Sequence, residues 1–191
     1  MRKWYECEGA VEDIVMSTRV RLARNLRAFP FPNVMNQQQK HEVCALVKDA
    51  LATARFAEGS SLRFIDMGQL DEVQARSLVE RHLVSPEFVK NAAGRGLLLS
   101  EDESISIMIC EEDHIRIQVI AAGLALQQAL DTAGKIDDII DSSLEYAFHE
   151  KLGFLTQCPT NLGTGLRASV MLHLPTLEQM HAIGQLGSTV S

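Results

Sequence analysis

The sequence predicts an α+β fold in which an antiparallel sheet is flanked by helices. Two observations carry the sheet. Ile105, Ile107 and Ile109 alternate with Ser104, Ser106 and Met108, and Ile115, Ile117 and Val119 alternate with His114, Arg116 and Gln118. Both runs have the period of a half-buried strand, and Glu111, Glu112 and Asp113 between them read as the acidic tip of a hairpin. A third observation carries the helices: Val43, Leu46, Val47, Ala50, Leu51 and Ala54 share one face of a helix over residues 37–57.

The remaining elements follow in order. Residues 11–31 read as extended or loop-like, closed by Pro30 and Pro32. A short strand is expected over 62–67. A helix over 70–83 turns Val73, Leu78 and Val79 inward, with Pro86 just beyond it. Residues 92–96 form a small glycine-bearing loop. After the hairpin, 123–152 read as mostly helical. There Leu124, Leu126, Ala129, Leu130, Ile136, Ile139, Ile140, Leu144 and Phe148 face the core, and Gly134 breaks the run into two helices. Strands over 154–158 and 167–174 and a helix over 176–186 complete the chain. It shows no repeat, low-complexity tract or linker.

A chain of 191 residues, 46% hydrophobic and 23% charged, suits one soluble domain with a real core. The net charge of -7 argues against a nucleic-acid binder with a broad basic surface. No apolar stretch is long enough to span a bilayer, and the first residues lack the apolar core of a signal peptide. Cys7, Cys44, Cys110 and Cys158 are scattered, with neither a disulfide framework nor a zinc-site spacing. We read free thiols in a reducing, cytoplasmic compartment.

The densest chemistry lies in residues 158–171, CPTNLGTGLRASVM. Proline after Cys158 restricts the backbone that carries the thiol, and Gly163 and Gly165 allow close approach of a ligand. Arg167 then opens a strand whose other same-face residues are Ser169, Met171 and His173. Earlier in the chain, Arg19 and Arg21 point to one face of an extended segment. Two adjacent guanidiniums repel unless an anion lies between them, and phosphate suits their paired planar donors. Taken alone, such a pair is more often a solvated arginine face, with Arg24 and Arg27 merely continuing the basic run. An acidic run such as Glu111–Asp113 is most often a solubilising turn, but it also suits recognition of a cation. No GxxxxGK[ST] loop is present.

Three segments together resemble the ATP:guanido phosphotransferases, the phosphagen kinase family. They are STRVRLARN from Ser17, EEDHIRI from Glu111, and CPTNLGTGLRASVM from Cys158, in the family's order and across nearly the whole chain. The resemblance implies a guanido kinase catalytic domain of the glutamine-synthetase-like type. It implies ATP and Mg2+, with nucleotide held by Ser17, Thr18, Arg19, Val20, Arg21, Arg116, Arg167, Ala168, Ser169, Val170 and Met171. His82 resembles a position at the adenosine end, although a lone histidine is as readily a packing or surface residue. Glu112 becomes the carboxylate that orients a guanidinium and takes its proton. Glu111 would help through magnesium or its waters. Cys158 would be the reactive cysteine, its thiolate favoured by nearby arginines.

The opening segment looks most like that of the bacterial protein arginine kinases, which lack the small N-terminal helical domain of other members. This implies protein substrates with exposed arginines and a role in stress response and protein quality control. A zinc-binding activator protein, a heat-shock repressor and a Clp-type protease are the implied partners. The resemblance also implies that residues 1–191 are a partial catalytic domain with its C-terminal part missing, of weak or absent activity, with poorer stability than the full protein and an exposed sheet edge prone to association. Two alternatives remain: a small-molecule guanidino kinase, and a non-catalytic module that binds nucleotide or phosphoarginine.

Overall fold

The computed structural model describes residues 2–52 and 61–190. Its centre is a six-stranded antiparallel sheet in the order β2-β3-β4-β5-β1-β8. The strands are β1 (Val15–Arg24), β2 (Leu62–Asp66), β3 (Gly96–Ser100), β4 (Ile105–Ile109), β5 (Ile115–Ala122) and β8 (Leu166–Leu172). A small separate ladder joins β6 (Phe148–His149) to β7 (Gly153–Phe154).

One face of the sheet is covered by α1 (Gln37–Leu51) and α4 (Leu126–Asp141). Val20, Leu22, Ile107, Ile115 and Ile117 pack there against Val43, Val47, Ala133, Ile136 and Ile140. The other face is covered only in part. Around α2 (Glu72–Glu80) and α3 (Pro86–Lys90), Leu78, Leu83 and Phe88 close over Leu97, Leu99 and Met108 of β3 and β4. The half of that face made by β5, β1 and β8 carries the polar site.

Several expectations are corrected. α1 ends at Leu51 with Ala52 as its cap, and the expected remainder over 53–57, including Ala54, lies outside the described residues. β3 was not expected, because Leu97 and Leu99 face one core and Leu98 the other, leaving no alternation to read. Val73 is 78% exposed, so α2 packs through Leu78. Pro86 opens α3, capped by the Ser85 hydroxyl. α4 runs unbroken through Gly134, its packed stripe outweighing the helix cost of about 1 kcal/mol for one glycine. Leu124, Leu126, Leu130 and Phe148 are exposed, and the chain after Ser142 turns into β6. Residues 154–158 are mostly loop, and the last expected helix is two, α5 (Pro175–Gln179) and α6 (Ile183–Val190).

Arg24 is not part of a solvated basic run. It is 4% exposed, and its guanidinium forks onto Asp137 of α4 at 2.7–3.1 Å, bonds the carbonyls of Ala23 and Thr164, and lies 3.6 Å from the Phe154 ring centroid. It therefore clamps β1, α4, β7 and the loop before β8. Removing one partner of a buried pair strands the other. Arg24→Ala should lower unfolding free energy by about 3 kcal/mol, read as a fall in urea midpoint; a change under about 1 kcal/mol would mean that Asp137 is rehydrated freely.

Candidate functional site

β1 lies between β5 and β8, and alternation decides what each of its side chains meets. Val20 and Leu22 enter the covered core, and Arg19 and Arg21 point to the open half-face. The register sets Arg21 opposite Arg167 on one side and Gln118 on the other, Arg19 opposite Ser169, and Ala23 opposite Arg116. The four arginines expected from the sequence are thus brought together.

Among the described residues, Arg19, Arg21 and Arg167 form no ion pair. Arg21 is half-buried and its Nε has no acceptor. Burial, then Arg19, Arg116 and Arg167, hold its pKa down to about 10. Burial, with Arg167 and Arg116, also lowers that of Arg19. A buried donor and uncompensated positive charge are the features that a polyanion would satisfy.

The acidic segment is not a solvated tip. Glu111 is 8% exposed and Asp113 fully buried. Cys110, at φ 62°, turns the chain back so that its N–H bonds the His114 carbonyl at 2.9 Å. Glu111 accepts from the Ser85 hydroxyl and pairs with Arg116 at 2.6 Å, while Glu112 accepts from Arg116 at 3.1 Å. Asp113 Oδ1 accepts from Asn25 Nδ2 at 2.7 Å and from the Gln157 N–H at 2.8 Å. Asn25 Oδ1 in turn accepts the His114 N–H at 2.9 Å. His114 was expected to share a face with Arg116; instead its ring is buried against the loop after β1. Nδ1 accepts from the Leu26 N–H at 3.0 Å, which leaves the proton on Nε2, 2.8 Å from the Pro30 carbonyl. Asn25, Asp113 and His114, none of them among the expected site residues, tie three loops into one block.

Cys158 begins the third loop. Its Sγ is 3.0 Å from Thr160 Oγ1, and the Thr156 hydroxyl bonds its carbonyl at 2.8 Å. Gly165, at φ 63°, passes so close to β1 that a Cβ would lie 2.5 Å from the Ala23 carbonyl oxygen, so this turn into β8 requires glycine. The result is a cavity of about 200 Å³ shared by Arg21, Arg116, Arg167, Glu112, Cys158 and Asn161. A second cavity, about 250 Å³, starts at Arg19 and is lined by Ser17, His82, Ile120, Ser169, Val170 and Met171. His82 is held there by its backbone: Gln118 Nε2 donates to the His82 carbonyl at 2.9 Å, and Ser106 Oγ donates to that of Leu83 at 2.7 Å.

Some expected residues lie elsewhere. Thr18 and Val20 are on the covered face, where Thr18 Oγ1 donates to the Gly123 carbonyl and accepts the Ala125 N–H at the start of α4. Ala168 stands opposite Val20 and is exposed at the sheet edge. Among the described residues, no group of three or more His, Cys, Asp or Glu side chains is placed to hold a metal ion.

A profile of the ATP:guanido phosphotransferase C-terminal catalytic domain matches residues 42–191. Curated protein-arginine kinases of Halothermothrix orenii and Brevibacillus brevis are 46% and 47% identical to the chain, each over 98% of it. The chain spans about half the length of these relatives, 53% and 54%. Among solved structures, the duplicated taurocyamine kinase of Schistosoma mansoni with bound transition-state analogue components superposes with TM-score 0.78 at 27% identity, over 90% of this chain and 25% of that one. Lombricine kinase superposes with TM-score 0.75 at 27% identity, over 88% of this chain and 50% of the other.

Two outcomes follow from the geometry. Arg21→Met keeps the apolar stem and removes one of four mutually repelling charges. Its urea midpoint should hold or rise while affinity for inorganic tripolyphosphate falls at least roughly ten-fold; a lower midpoint would make Arg21 a structural residue. The second concerns His114, whose pKa burial lowers. Below about pH 6.5 the unfolded chain binds a proton that the folded chain resists. Stability is therefore full above that pH and falls on acidification, by up to ~1.4 kcal/mol per pH unit for this group. Urea melts from pH 7.5 to 5 should show this loss, and His114→Gln should reduce it; superimposable profiles would remove His114 from the account.

Proposed function

The chain belongs to the ATP:guanido phosphotransferase family, and from that premise we propose that it serves a protein arginine kinase, moving the γ-phosphoryl group of ATP to arginine side chains. The observation that carries this reading is the cavity in which Arg21, Arg116 and Arg167 face Glu112 and Cys158. It combines donors for a transferring phosphoryl group with a carboxylate and a thiol suited to a guanidinium. The protein as acceptor, rather than a small guanidino compound, is supported by the 46% identity to relatives named protein-arginine kinase against 27% to the taurocyamine and lombricine kinases.

The phosphates would lie along Arg19, Arg21, Arg116 and Arg167, with the nucleoside beyond Arg19 toward His82. Magnesium, if bound with the phosphates, would neutralise charge on them. Such an ion takes most of its ligands from phosphate oxygens and water. Glu111, already engaged by Ser85 and Arg116, would meet it through water. The substrate guanidinium enters beside Glu112 and Cys158. In the structure Glu112 holds the guanidinium of Arg116, the same chemical group as the acceptor. An unperturbed guanidinium keeps its proton at neutral pH, so removal beforehand is unfavourable. As a nitrogen lone pair forms the N–P bond, the bond from phosphorus to the bridging oxygen breaks, ADP leaves, and the proton passes to the Glu112 carboxylate. Positioning and charge neutralisation supply the rate.

Among the described residues, no helix is long and apolar enough to cross a membrane. The proposed setting is a bacterial cytoplasm, within protein quality control. The test is transfer from γ-labelled ATP to an unfolded, arginine-rich protein. Acid-labile label is expected, lowered at least roughly 10²-fold in Glu112→Gln and resistant to competition by free arginine. Label that free arginine competes away would favour a small guanidino acceptor. Nucleotide binding with no transfer would favour a binding module.

A further inference from the structure

The cavity beyond Arg19 has one more wall, supplied from outside the arginine and glycine motifs. It is the indole of Trp4, in the short 3₁₀ turn Trp4–Glu6. Resting on the nucleotide reading above, we propose that Trp4 is a recognition residue for the nucleoside, stacking on the purine base while Arg19 leads to the phosphates.

Trp4 is absent from both hydrophobic cores, although large aromatic side chains are usually core anchors. Its Nε1 is covered and has no acceptor. The ring is half-buried and edge-on to Tyr5 at 5.7 Å, and the N-terminal segment is fixed firmly enough to hold it there. The Trp4 N–H donates to the Asp102 carbonyl at 3.0 Å. Lys3 Nζ bonds the Glu101 carbonyl at 2.8 Å and pairs with Glu103 at 3.0 Å. Glu103 also pairs with Arg81, the neighbour of His82, so one carboxylate links the segment bearing Trp4 to the turn bearing His82. Further along, Gly9 lies so close to the Ala122 carbonyl that a Cβ there would approach to 2.4 Å. Anchored at both ends, this strap sets a flat π-surface against a slot of Ile120, Val170 and Met171 that also carries Ser17, His82 and Ser169, and whose far end is the Arg19 guanidinium. That combination fits a planar heterocycle carrying an anionic tail.

Trp4 is the chain's single tryptophan, so its emission reports this site alone. The chain of residues 1–191 is titrated with ADP and, separately, with inorganic tripolyphosphate, and binding of each is measured by calorimetry. ADP should change the emission of Trp4, and tripolyphosphate should bind with little change. Trp4→Ala should weaken ADP about ten-fold and leave tripolyphosphate affinity unaltered, which also reports a folded site; Trp4→Phe should restore most of the loss. Equal emission changes with both ligands, or ADP affinity unchanged in Trp4→Ala, would overturn the inference and leave the nucleotide reading standing. Absence of ADP binding to the unsubstituted chain would overturn both. Should Trp4→Ala not fold, the contrast between the two ligands on the unsubstituted chain decides.

Discussion

Four guanidiniums on one sheet face repel one another, and the rest of the molecule is arranged so that they cannot move apart. The ladder does this work. β1 is hydrogen-bonded along both sides, to β5 and β8, so Arg19 and Arg21 cannot turn away without breaking two rows of backbone bonds. The opposite face of the same strand enters a dry core with α1 and α4. Helices cover only the β3–β4 side of the polar face, where the sheet presents Leu97, Leu99 and Met108. Apolar burial on one half of the molecule thus stabilises unfavourable charge on the other, an arrangement in which the arginine face is also a reservoir of electrostatic strain.

The acidic residues are held by a different kind of bond. Glu111 and Glu112 lean on Arg116, whereas Asp113 accepts only neutral donors, from Asn25 and the Gln157 backbone. This division leaves Arg116 as the cation paired with Glu111 and Glu112, and keeps Asp113 on amide donors alone. Because Asn25 directly follows β1 and Gln157 precedes Cys158, the network sets carboxylate, thiol and arginine row relative to each other.

Where local pattern and tertiary environment agreed, the sequence was readable. β4 and β5 follow their isoleucine alternation, and β8 follows the alternation after Arg167. The convergence of Arg19, Arg21, Arg116 and Arg167 was legible because period two assigns faces, and the three motif segments assigned chemistry to them. What was hidden depends on distant partners. Nothing near Asp113 announces that Asn25, 88 residues away, will bury it. Leu97–Leu99 lost its strand signature because both of its faces are interior. Gly134 carried a local helix-breaking signal that packing by Ala133 and Ile136 overrode, and Val73 held a helical core position on a helix that buries little more than Leu78.

The strand order also dictates when the site can exist during folding. β3, β4 and β5 are neighbours in sequence and can pair as they emerge, with only short loops to close. β1 must wait about a hundred residues for β5, and longer for β8, so the half of the sheet bearing the arginines carries the greatest loop-closure cost. A chain halted before β8 could hold a hydrophobic nucleus and still lack the face built by Arg167. A ligand that spans Arg19, Arg21 and Arg167 would therefore recognise, in a single binding event, that the first and last strands of the sheet have met.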